Sequence, residues 1–159
     1  MLWAQIAITW LHVLGGIFWF GGTLYATFIL GPAVMLLPPQ ANRAIFQAMM
    51  TRRVPVIIET VASITVLLGI VRGTLLGPVK SLGFLLRTPY GITWGIALLL
   101  GLSLLAWSHF VVSASAEKMA AAVEASDNAA MRRGMQQLLV ELIGLFGIFT
   151  CMILMRFGL

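Results

Sequence analysis

Residues 10–25 read WLHVLGGIFWFGGTLY and lie inside an apolar run, residues 2–37, that holds no Asp, Glu, Lys or Arg. A membrane span needs roughly 20 residues at about 1.5 Å of rise each, so this run is long enough to cross a bilayer. Its one side chain that can carry charge near neutral pH is His12. At helical spacing His12, Gly15, Gly16, Trp19, Gly22 and Ala26 fall on one stripe. An imidazole set over a groove of glycines lets a flat molecule, or another backbone, approach closely. Polar groups at membrane depth are costly and turn toward the bundle interior, which makes His12 a site candidate. The other reading of His12 is a histidine satisfied by a neighbouring hydroxyl or carbonyl, fastening two helices together.

The rest of the chain supports a membrane setting. Of 159 residues 60% are hydrophobic and 9% charged, against about 25% charged in soluble domains. The first run is too long for a signal peptide and lacks the charged start and small-residue cleavage site of one. A net charge of +5 would suggest nucleic acid in a soluble protein. Here the cations sit between apolar runs, where they orient the chain and meet membrane lipid head groups, so no nucleic-acid partner is expected. The single Cys151 excludes an internal disulfide. Nothing resembles a nucleophile triad, a phosphate loop or a zinc motif. If the chain is an enzyme, its chemistry belongs to a cofactor, as in a haem-dependent membrane oxidoreductase.

The pattern predicts an all-α fold, an integral membrane four-helix bundle forming one transmembrane domain over residues 1–159. The helices are expected at about residues 4–30, 54–76, 90–113 and 135–155. The first should bend or stop near Gly31-Pro32, and a polar connection should follow from Pro38 to Arg53. Pro55 opens the second, Gly77-Pro78 ends it, and Pro89 opens the third. Beyond Val112 the alanine-rich SASAEKMAAAVEASDNAAMRRG is too polar for hydrocarbon and should prolong helix three into the cytoplasm, turning near residues 126–128. The first and third loops hold Arg43, Arg52, Arg53, Lys118, Arg132 and Arg133, against Arg72, Lys80, Arg87 and Arg156 on the other face. Six against four places loops one and three in the cytoplasm and both termini outside, in a cell inner membrane.

Depth along the helices sorts the polar groups. With helix centres near Ile17, Thr65, Gly101 and Leu145, His12 lies in the outer half and His109 near the inner surface. The two are separated by about 13 residues of rise, roughly 20 Å, whereas two imidazoles on one iron need nitrogens about 4 Å apart. One chain therefore cannot grip a haem with both unless a helix is displaced by several turns. His109, beside Ser108, is expected to meet water or head groups. At the level of His12 lie Thr93 and Trp94 on helix three and Cys151, Met152 and Met155 on helix four. Imidazole with thioether is a haem ligand pair, and imidazole with thioether and thiolate suits Cu(I); methionine is equally a common core filler. The inner half carries Glu59 and Glu141, each about two turns from an arginine, which suggests either Arg–Glu latches between helices or a proton or ion path. Gly15, Gly16, Gly21, Gly22, Gly91 and Gly95 also suit close helix packing, and Trp3, Trp10, Trp94 and Trp107 an interfacial belt.

Leu11-His12, followed by Phe18-Trp19-Phe20-Gly21-Gly22, resembles the first helix of the copper resistance protein D superfamily, which includes the four-helix membrane protoporphyrinogen oxidases. Thr88-Pro89-Tyr90-Gly91 is similar to the threonine-x-tyrosine-glycine entry of the copper branch. Met49-Met50-Thr51 before an apolar run ending in glycine resembles the oxidase branch, and Glu141 falls near an acid there. The resemblance implies a four-helix membrane bundle and, for the oxidase branch, b-type haem on His12. That branch usually carries a lysine soon after the tyrosine-glycine step, whereas residues 92–107 hold no charge, so oxidase chemistry is not carried over. Three expectations follow. The first is a haem b protein for electron transfer or haem handling, a homo-oligomer or small subunit of a membrane complex, with His12, Gly15, Gly16, Trp19, Gly22 and Trp94 around the cofactor. The second is a copper-handling protein using His12, Cys151, Met152 and Met155. The third is a cofactor-free structural subunit.

Overall fold

The computed structural model describes residues 2–113 and 128–159, and every regular element among them is helical. We number these α1, Leu2–Tyr25, which continues to Met35; α2, Pro39–Thr51; α3, Val54–Thr74; α4, Leu82–Arg87; α5, Pro89–Trp107, which continues as a π-helix over Ser108–Ser113; and α6, Asn128–Arg156. Among the described residues four helices are long and apolar enough to cross a membrane: Leu2–Met35, Val54–Thr74, Pro89–Val111 and Arg132–Arg156. The expected prolongation of helix three past residue 113, and its turn near residues 126–128, fall largely outside the described residues.

Two local expectations gain detail. Of the bend or stop expected near Gly31-Pro32, the first helix does not stop but changes its winding. Ala26–Leu30 winds as a π-helix, with the Gly31 N–H reaching the Ala26 carbonyl, and the α-helix resumes over Gly31–Met35. Pro32 has no N–H for the carbonyl four residues back, and its ring would press on that carbonyl in a strict α register; a wider turn just upstream relieves both. The polar connection from Pro38 to Arg53 is mostly the helix α2, which opens on Pro39 and buries Asn42. It is separated from α3 by Arg53 in the left-handed conformation, φ 53°. At the other end of α3, Ser81 Oγ accepts from Phe84 N at 3.1 Å to start α4, and Thr88 Oγ1 accepts from Gly91 N at 3.0 Å to start α5.

The four long helices form a ring in chain order. α1 packs most closely with α3 and α5 with α6, while α3 also meets α5 and α1 meets α6. Trp19, Ala62, Leu104 and Leu145 make the buried core, with Phe20, Ile58, Val66, Leu105 and Ile148 packed on it. Phe20 also sits edge-on to Phe146 at 5.0 Å. Outside, Trp3, Trp10, Ile17, Phe28, Leu67, Leu99, Ile143 and Phe157 are exposed, while His12, Thr65 and Glu141 are buried. Apolar side chains turned outward and polar ones inward is the distribution suited to a hydrocarbon solvent.

Packing tolerances differ sharply between glycines. A Cβ at Gly91 would fall on the Phe84 carbonyl oxygen and within 2.8 Å of Leu85 Cα, backbone that cannot swing aside. At Gly21 it would meet nothing within 4 Å. Gly91→Ala is expected to cost about 1–3 kcal/mol, whereas Gly21→Ala should leave stability unchanged or raise it by up to about 1 kcal/mol. Thermal unfolding of the two variants in detergent checks the contrast.

Candidate functional site

His12 is 7% exposed, and its Nδ1 lies 2.9 Å from the carbonyl oxygen of Thr65 on α3. A carbonyl only accepts, so Nδ1 carries the hydrogen and donates it, and in the neutral ring Nε2 holds a bare lone pair. The Thr65 hydroxyl is engaged elsewhere, donating to the Val61 carbonyl at 2.7 Å. A mid-helix carbonyl is open to side approach here because the residue one turn on is Gly69. A Cβ at that position would stand 3.0 Å from Cε1 and 3.6 Å from Nδ1 of His12. One turn further, a Cβ at Gly73 would overlap the indole of Trp94 at Nε1. Gly69 and Gly73 thus form a shelf on α3 that carries the His12 ring from α1 and the Trp94 ring from α5.

These rings border a cavity of about 310 Å³ between the four long helices, partly open to the outside of the bundle. Its wall takes His12, Gly16 and Trp19 from α1, Gly69, Arg72 and Gly73 from α3, Tyr90 and Trp94 from α5, and Met152 and Met155 from α6. The lining therefore joins the first halves of α1 and α5 to the second halves of α3 and α6, as an alternating up-and-down bundle requires. Trp19, 3% exposed, sits where the cavity meets the core, and its Nε1 donates to Glu141 Oε1 at 2.8 Å.

Of the residues singled out from sequence, His12, Gly16, Trp19, Trp94, Met152 and Met155 share this wall. Gly15 does not: it faces α3, where a Cβ would fall on Thr65 Oγ1, and it borders a separate apolar groove with Leu11, Phe18 and Ile64. Gly22 is also off the wall, with open space beside it. Cys151 is buried but not on the wall, because it lies one residue, about 100° of helical rotation, from Met152. Among the described residues no group of three His, Cys, Asp or Glu could hold a metal ion. The wall offers one imidazole, two thioethers and the Tyr90 hydroxyl as side-chain donors.

The two acids have other partners than the arginines expected for them. Glu141 accepts from Trp19, and Glu59 accepts from His109 Nδ1 at 2.6 Å toward the other end of the bundle. His109 is exposed as expected, but it is tied to α3 rather than left to water alone. Missed in the sequence were Gly69, Gly73, Tyr90 and Arg72 as wall residues. Gly69 and Gly73 carried a signal, the small-xxx-small spacing of close helix approach. Comparison of the chain with protein-family models, curated proteins and solved structures finds no match in any of the three.

Trp19→Phe removes the N–H that the buried Glu141 accepts and is expected to destabilise by about 1–3 kcal/mol. Combined with Glu141→Leu, the loss should be smaller than the sum of the two single changes, because no buried carboxyl is then left without its donor. Thermal melts of the two single variants and the double variant in detergent measure the coupling.

Proposed function

We propose that the chain is a multi-pass membrane protein that binds b-type haem in the cavity between its four long helices, with His12 as the iron ligand through Nε2. The observation that carries this reading is the place of His12 on the cavity wall with its Nδ1 donating to the Thr65 carbonyl, a bond that by itself also fastens α1 to α3. Ligating histidines characteristically donate their second ring N–H to a carbonyl or carboxylate, which fixes the tautomer and aims the free nitrogen. Met152 and Met155 bring thioethers to the same wall, the second ligand class used with histidine in electron-carrying haem proteins. The largely apolar lining suits the body of a macrocycle, and the open side of the cavity lets one larger than the enclosed volume extend past the helices. The resemblance of Leu11-His12 and residues 18–22 to the copper resistance protein D superfamily points the same way.

Bound haem would supply one-electron redox chemistry. The chain's own part is to hold the group, orient the imidazole and keep water from it. The role that follows is electron transfer or haem handling within a homo-oligomer or larger membrane assembly, whose partner helices would meet the exposed apolar faces. Loops one and three face the cytoplasm in this reading, and the membrane is the cell's inner one.

The purified protein, as isolated and after addition of haemin, should show a Soret band that His12→Ala abolishes or shifts. A colourless protein that takes up no haemin overturns the proposal, and a band unchanged in His12→Ala overturns the ligand assignment. Absence of colour with copper retained after loading, and lost on replacing His12 or both Met152 and Met155, would assign the same wall to Cu(I) instead.

A further inference from the structure

We propose that Arg72 is an anion-anchoring residue of this cavity, and that the molecule taken there is a flat apolar one carrying carboxylates at one edge. The inference rests on the cavity being a ligand site and deepens that reading by naming the chemistry of the ligand's polar edge. Arg72 lies in the last turn of α3, between Gly69 and Gly73, and lines the same wall as His12. Arg72 is exposed, unlike His12 and Trp19 on the same wall, and the rest of that wall is largely apolar.

No acid among the described residues pairs with it. Glu59, on the same helix, is 13 positions away, about 20 Å of rise, and is paired with His109. Glu141 is held by Trp19 at the deep end of the cavity. A cation on the wall of an apolar cavity, with both acids among the described residues engaged elsewhere, is complementary to an anion brought by the ligand. The planar five-donor fork of arginine matches a carboxylate in two parallel hydrogen bonds. Tyr90, half-buried on the same wall, adds a hydroxyl-bearing ring. A porphyrin carrying two propionates has this division between apolar plane and anionic edge.

The test uses the full chain in uncharged detergent, so that no anionic lipid competes, with metal-free protoporphyrin IX and its dimethyl ester as probes read by porphyrin fluorescence. The wild type should bind the diacid more tightly than the diester. Arg72→Gln should weaken diacid binding about tenfold and leave the diester unchanged, with Arg72→Lys between. Arg87→Gln, an exposed cation off the cavity wall, should behave as wild type. Equal losses for both probes would make Arg72 merely structural, and equal binding of both probes by wild type, or no change in Arg72→Gln, overturns the anchor. The metal-free probe has no iron for His12 to ligate. Arg72-dependent binding without a His12-dependent Soret band after haemin would therefore sink haem ligation alone, and the converse would sink the anchor alone. If neither porphyrin binds, both fall.

Discussion

One hydrogen bond between helices, His12 Nδ1 to the Thr65 carbonyl, constrains this interior more than any other. Burying an imidazole N–H without an acceptor in an apolar medium costs a few kcal/mol. The bond therefore holds α1 at one height against α3. It also fixes the tautomer, so the nitrogen left over is a lone pair and not a second donor. Meeting that condition demands a gap in the side-chain surface of α3, which Gly69 provides. Tautomer, helix register and the glycine are consequences of one contact.

A second tie sets the rotation of α1. Trp19 is seven residues after His12, almost two full turns, so both side chains leave the same face of the helix. Yet His12 reaches α3 and Trp19 reaches Glu141 on α6. This is possible because α1 lies between α3 and α6 in the ring, and its polar face points at the seam where they converge. Turning α1 to bring Gly15 or Gly22 to the cavity would break both bonds at once. The stripe drawn on the sequence was thus too wide by one edge: Gly16 and Trp19 belong to the wall, while Gly15 serves the α1–α3 contact.

Residue rise is a reliable ruler, and that is why much of the site was legible in advance. Apolar length alone located four helices, and counting from their centres put Trp94, Met152 and Met155 at the level of His12, where they share its wall. Rotation about each axis was not legible, because nearly all-round apolar helices offer little amphipathic signal to orient them. The acids show this. Each has an arginine about seven or eight positions away in sequence, but Glu141 faces Trp19 in the core and Glu59 faces His109 on the turn that continues α5, while Arg52, Arg53 and Arg133 stay exposed. Long cations reach polar surroundings by extending outward, so they need not return to a buried carboxylate. The π turn ahead of Pro32 was invisible for a different reason: proline announces a lost hydrogen bond but not how the backbone absorbs it.

The cavity itself follows from where the small residues are placed and what occupies the space beside them. Gly69 and Gly73, one turn apart, would in many membrane helices let a second backbone approach closely, and the bundle would close on itself. Here the positions facing them are filled by the rings of His12 and Trp94. A flat ring standing on a glycine keeps two helices farther apart than a backbone would, yet it leaves the volume around the ring unfilled. Toward the middle of the bundle the pattern reverses, with Trp19, Leu104 and Leu145 supplying bulk against Ala62. The same four helices are therefore packed tight on one side of Trp19 and propped open on the other. The propped half is the one that holds the imidazole lone pair, the two thioethers and the exposed Arg72.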